Sequence, residues 1–146
     1  MIRGLRKRLA AQLIRRYLIR RKVVFDGLPA FHGRWPNIVN EGRIGIGPRC
    51  VFRSFRLRQT ITVTKDAVLE IGPDSFFNDG LNVYATKAVK VGRHADIGDM
   101  VYIYDTDSHP VSPQFPVKTL PVNIGNHVWI GTGSIILPGP ALATTP

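Results

Sequence analysis

The chain has a single cysteine, Cys50, so an internal disulfide framework is excluded and nothing suggests an oxidising compartment. It also lacks any apolar run approaching the roughly 18 residues that suggest a membrane-spanning helix. Acidic side chains are absent from residues 1–22, which hold nine lysines or arginines, whereas the rest of the chain carries eleven basic and ten acidic groups. The formal charge of +10 therefore belongs to a tail, and the body is nearly neutral. No recognition motif and no interleaved aromatics accompany the basic run, so nucleic acid is not an expected partner. What the chain does have is turn material. Its 14 glycines and 11 prolines in 146 residues point to many corners rather than long helices, within one domain large enough for a real core.

Residues 2–19 carry a helical pattern. Ile2, Leu5, Leu9, Leu13 and Tyr17 recur at spacings of three or four, Ile14 and Leu18 widen the stripe, and arginines crowd the other positions. The charges continue past the apolar positions, unlike those of a secretory signal, so cleavage is not expected. Residues 1–22 thus predict a basic amphipathic helix with two uses open. It could dock on an anionic membrane surface, where each Lys or Arg near the headgroups contributes on the order of 1 kcal/mol. It could instead pack its stripe on its own domain or on a neighbouring subunit. Residues 23–43 form a turn-rich lead-in in which Trp35 caps the end of a core and His32 is a surface histidine.

From Ile44 a period of six begins and persists. Its units are Ile46-Gly47-Pro48-Arg49-Cys50-Val51, Ile71-Gly72-Pro73-Asp74-Ser75-Phe76, Val91-Gly92-Arg93-His94-Ala95-Asp96, Ile97-Gly98-Asp99-Met100-Val101-Tyr102, Ile124-Gly125-Asn126-His127-Val128-Trp129 and Ile130-Gly131-Thr132-Gly133-Ser134-Ile135. Six fits neither a strand's period of two nor a helix's 3.6. It fits a polygonal coil: the first and fifth residues of each unit point inward, small residues turn the corner, and three sides close a triangular prism. Successive turns then pair their backbones as parallel strands. A sandwich of short strands is the alternative.

Slips in the period locate insertions. Ile71 to Val91 is one 18-residue turn plus two residues, and Ile103 to Ile124 contains residues 105–121, whose four prolines keep it off a regular wall. That segment is predicted to protrude, and protruding loops commonly carry function. It displays His109. Asp105 and Asp107 precede it and could orient the histidine or line an acceptor site, although turn formation is the simpler role for Asp-x-Asp. Arg53, Arg56 and Arg58 lie on a strand-like edge, and His94 and His127 are expected at surface corners.

These features resemble the hexapeptide-repeat acyltransferases, notably the sugar O-acetyltransferases. The likeness covers about Ile44 to Gly139 and is most specific at His109-Pro110-Val111 and at Ile124 through Gly131. The resemblance implies an all-β, left-handed parallel β-helix, a handedness opposite to the usual crossover preference, following an N-terminal helix at 1–22 and filling 23–146. It also implies a homotrimer with acetyl-coenzyme A (acetyl-CoA) in the groove between adjacent prisms, no metal, and a sugar or lipid-linked saccharide hydroxyl as acceptor. Such an enzyme would belong to bacterial envelope polysaccharide synthesis, in the cytoplasm or on the inner face of the cell membrane.

By the same resemblance His109 is the general base and Asn78 orients the acceptor; Asp107 is added to the acceptor site from its place in the loop and not from the resemblance. Trp129, Gly131 and Thr132 are assigned to the coenzyme, with the Thr132 backbone amide stabilising the oxyanion. Imidazole chemistry suits the first role, since a reference pKa of about 6.5 leaves it able to accept a proton near neutrality. Two rival readings stand beside this one. A γ-class carbonic anhydrase would need three converging histidines, and His94, His109 and His127 lack that class's closely spaced pair. A non-catalytic scaffold is suggested by the C-terminus: after Ile136-Leu137-Pro138-Gly139 the family continues with further hexads, whereas this chain runs GPALATTP, so its last coils would be missing.

Overall fold

Each six-residue side is too short to bury its own apolar positions, so the chain buries them by coiling. A computed structural model describes residues 2–110 and 112–139. Val111 and residues 140–146, where the hexad pattern is expected to lapse, lie outside the described residues. Helix α1 spans Ile2–Arg20. Five layers of three short strands follow. The first layer is β1 (Val23–Phe25), β2 (Ala30–Gly33) and β3 (Asn37–Asn40), and the second is β4 (Arg43–Ile46), β5 (Val51–Ser54) and β6 (Thr60–Val63). The third is β7 (Val68–Ile71), β8 (Phe76–Phe77) and β9 (Asn82–Ala85), and the fourth is β10 (Ala88–Val91), β11 (Asp96–Ile97) and β12 (Tyr102–Tyr104). The fifth is β13 (Val122–Ile124), β14 (Trp129–Ile130) and β15 (Ile135–Ile136).

Every strand pairs in parallel with its counterpart one layer away, giving three five-stranded sheets: β1-β4-β7-β10-β13, β2-β5-β8-β11-β14 and β3-β6-β9-β12-β15. The protein is the three-sided parallel β-helix that the period of six predicts, and not a sandwich. Register explains the repeat. Ile44, Leu69, Val89 and Val122 stack in one interior column, Phe52, Phe77, Ile97 and Ile130 in a second, and Ile38, Ile61, Val83, Ile103 and Ile136 in a third. Fifth positions also turn inward: Cys50, Ser75, Ala95 and Val101 are buried.

Glycine at the second hexad position is set by stacking distance. A methyl added at Gly92 would lie 2.5 Å from the Gly125 carbonyl oxygen in the layer above, and one at Gly72 would lie 2.6 Å from the Gly92 carbonyl carbon. At the fourth position the corner needs a left-handed residue, and here the chain uses Arg49, Asp74, His94 and His127, with φ of 58°, 58°, 53° and 55°. Their side chains stack as a ladder. The Arg49 guanidinium donates to Asp74 and holds its carboxyl below the usual range, and the His94 and His127 rings lie parallel with centroids 4.7 Å apart. Both histidines are thus the corner residues expected.

Gly92→Ala should lower stability by about 1–3 kcal/mol, because a methyl overlaps the next layer's backbone. Gly45→Ala, where nothing lies within 4 Å of the added carbon, should leave the melting temperature nearly unchanged. Equal melting temperatures for the two variants would contradict the stacking account.

Helix α1 closes the first layer. Leu18 is fully buried, and Tyr17 donates its hydroxyl to the Pro36 carbonyl while its ring meets those of Phe31 and Trp35. Ile14, Tyr17 and Leu18 are therefore the packing face. Leu9 and Leu13, placed by their spacing on the same stripe, are exposed. Packing of the last two turns on the prism chose this narrower face, and spacing alone does not separate the two sets.

Candidate active site

The prism has three corner columns, and the predicted site residues fall on two of them. Residues 105–121 leave the column between β12 and β13, as the slip in the period predicts. The excursion is an antiparallel ribbon. Thr106 bridges Thr119 through backbone and through hydroxyls 3.0 Å apart, Asp107 N–H donates to Lys118 O at 3.0 Å, and Leu120 N–H to Asp105 O at 3.0 Å. Ser108 takes a left-handed φ of 65°, and the turn it makes lets His109 N–H reach the Asp107 carbonyl at 2.8 Å. The His109 side chain is exposed and meets no side-chain partner among the described residues. Asp107 is half-buried and, with Phe115, Pro116, Val117 and Lys118, lines an open hollow on the ribbon.

Asp105 does something else. Its carboxylate is fully buried and accepts from Thr86 N–H (2.7 Å), Thr86 hydroxyl (2.8 Å), Lys87 N–H (2.6 Å) and Ala88 N–H (2.7 Å). Those donors form the corner one layer below, where the two extra residues between Ile71 and Val91 sit. The first aspartate therefore staples the base of the loop, in the turn-forming class of roles, and does not face His109.

The remaining candidates lie on the column between the β2 sheet and the β3 sheet. Register places Asn78, Gly98 and Gly131 in successive layers, so Asn78 and Gly131 are two strand spacings apart, about 10 Å. Asn78 is half-buried, and its Oδ1 accepts from Arg53 Nε at 2.7 Å, which leaves its Nδ2 as the available donor. Sequence reasoning treated Arg53 as a separate surface charge; only stacking brings it to Asn78. Asp79, next in the chain, is buried; desolvation pushes its carboxyl up, but backbone N–H groups of Arg56, Leu57 and Phe55 outweigh this and hold it below the ordinary range. Thr132 is exposed, and among the described residues its N–H donates to nothing. Gly98 lies directly beneath, where a methyl would come 2.8 Å from Thr132 N. Trp129 is 79% exposed on β14, in register above Asp96 and Phe76.

One chain thus holds two half-sites. Asn78, Gly131 and Thr132 share one edge of the β3-β6-β9-β12-β15 sheet, with Trp129 beside them on the adjoining strand β14, and Asp107 and His109 rise from the other edge. A four-residue strand separates them, roughly 13 Å of backbone. The outer face between them carries Tyr84, Tyr102 and Tyr104, with ring centroids 6.0 and 6.1 Å apart. These tyrosines were not among the sequence candidates, although Tyr102-x-Tyr104 alternation before the loop is a signal for an outward aromatic pair. Among the described residues no group of three or more His, Cys, Asp or Glu is placed to hold a metal ion.

Comparison with curated proteins finds nodulation protein L of Rhizobium meliloti (strain 1021), 34% identical over 111 residues, covering 73% of this chain and 57% of that protein. Galactoside O-acetyltransferase of Lactococcus lactis subsp. lactis (strain IL1403) is 35% identical over 75 residues, covering 49% and 36%. A protein with the provisional name colanic acid biosynthesis acetyltransferase WcaF, from Escherichia coli (strain K12), is 24% identical over 83 residues, covering 57% and 46%. The chain spans about half the length of the curated relatives it matches. No family profile matches it. No solved structure matches it either. The chain is a hexapeptide-repeat parallel β-helix related in sequence to proteins named as acetyltransferases, as its repeats and its histidine loop led us to expect.

Proposed function

We propose that this protein is an acetyl-CoA-dependent O-acetyltransferase acting on the hydroxyl of a sugar or polysaccharide precursor, working as a homotrimer in the cytoplasm. The observation that carries this reading is the histidine loop: an exposed His109 on a ribbon rooted in the prism corner, in a chain whose relatives are named for acetyl transfer. The two half-sites support the trimer. They lie at opposite edges of one sheet, so the loop of one copy would have to meet the Trp129–Thr132 edge of its neighbour across a symmetric contact.

In this reading an imidazole nitrogen of His109 takes the proton from the acceptor hydroxyl as its oxygen attacks the thioester carbonyl. The Thr132 N–H, which has no partner among the described residues, donates to the oxyanion of the tetrahedral intermediate. Collapse breaks the C–S bond, and the coenzyme A thiolate takes up the proton from the imidazolium. Asn78, with its carbonyl oxygen held by Arg53, presents its Nδ2 to the acceptor, while Asp107 lines the same space. Trp129 covers the pantetheine arm beside Gly131. No step needs a metal or a covalent enzyme intermediate, because alignment and charge stabilisation are sufficient.

The test is coenzyme A thiol release from acetyl-CoA, measured against galactosides, other free sugars and lipid-linked saccharides, with the oligomeric mass determined in parallel. Acceptor-dependent release by a species of three chains is expected. A trimer that releases no thiol with any acceptor would favour the scaffold reading, and stoichiometric zinc in the purified protein would favour the carbonic anhydrase one.

A further inference from the structure

The helix that caps the prism has a second face with no counterpart in the solenoid. Leu9 and Leu13 are 56% and 45% exposed, while Ile14 and Leu18 are buried. At about 100° per residue, Leu9 lies half a turn round the helix from Leu18 and faces away from the prism, while Leu13 sits at the margin of that outer face, between Leu9 and Tyr17. Arg16 and Arg20 fall within about 20° of Leu9, and Arg6 within about 20° of Leu13. All three arginines are exposed, and among the described residues none is ion-paired. Arg15 and Arg21 differ: they lie over the rings of Phe25 and Tyr17 and belong to the packed side. No acid interrupts residues 1–22.

We propose that this outer face docks the protein on an anionic phospholipid surface. Leu9 and Leu13 enter the boundary between headgroups and acyl chains, and Arg6, Arg16 and Arg20 stay among the phosphates. Charge complementarity selects an anionic occupant, and the apolar pair selects lipid over nucleic acid, since a polyanion would engage the arginines and gain nothing from the leucines. Among the described residues no helix is long and apolar enough to cross a membrane. Because the last turns are fixed to the first layer of the prism through Leu18 and Tyr17, docking also sets which end of the solenoid faces the lipid. This rests on the helix alone and is independent of the acyl-transfer reading.

Cosedimentation of the full chain with vesicles tests it. Vesicles of phosphatidylglycerol mixed with phosphatidylcholine should retain the protein, and pure phosphatidylcholine vesicles should not. Leu9→Ser with Leu13→Ser should weaken partitioning by about tenfold or more at an unchanged melting temperature, since both side chains are exposed. Arg16→Gln should weaken it by roughly fivefold. The proposal is overturned if phosphatidylglycerol vesicles do not retain the protein, if the leucine variant binds like the wild type, or if a DNA duplex is bound more tightly than the vesicles.

Discussion

His109→Ala should reduce acceptor-dependent thiol release by a factor of about 10²–10⁴, the usual contribution of a positioned general base. Its effect on stability should be near zero. The imidazole is exposed, and only the backbone of His109 joins the ribbon's hydrogen bonds, so the substitution removes no packing and leaves no buried polar group unpaired. Acetyl-CoA affinity should also hold, because coenzyme binding is assigned to Trp129, Gly131 and Thr132, and the imidazole is assigned only the proton of the acceptor hydroxyl. Rate, calorimetric affinity and melting temperature measured on the same preparation separate the outcomes. Retained turnover would remove His109 from the mechanism. Loss of affinity together with turnover would make the residue part of coenzyme binding.

Asp105→Ala should be the most destabilising single change in the loop region, at about 3–5 kcal/mol, comparable to breaking a buried charged pair. Four donors converge on that carboxylate, three of them backbone N–H groups. Against a typical domain stability of about 5–15 kcal/mol, the loss would be visible as a large drop in the denaturation midpoint. Activity should fall with it, because the 105–121 ribbon starts from this residue. Asp105→Asn restores little: one oxygen can still serve Thr86, but the amide nitrogen then confronts the Lys87 and Ala88 N–H groups. Asp107→Ala, half-buried and held through its backbone, should change stability by less than about 1 kcal/mol. If Asp105→Ala left the midpoint unmoved, the stapling role would be wrong.

That contrast marks where sequence reasoning stops. Asp105 and Asp107 are two positions apart in one polar run, and nothing local distinguishes them. The distinction comes from layer stacking, which brings Thr86, Lys87 and Ala88 under the first and leaves the second at the ribbon's surface. Arg53 and Asn78 are 25 residues apart and meet for the same reason. In helix α1, spacing grouped Leu9 and Leu13 with Tyr17 and Leu18, and only the position of Trp35, Phe31 and Pro36 decided which of them is covered.

The period of six, the inward first and fifth positions and the place of the inserted loop were all legible in the chain, because a solenoid repeats the same local geometry at every side; the left-handed corners were expected from small residues and instead fall on Arg49, Asp74, His94 and His127. The separation of the candidate residues onto two corners was not legible. It depends on how many residues each turn consumes, and hence on which side chains end up stacked across layers at separations of about 20 residues, a property of the closed coil and not of any one hexad.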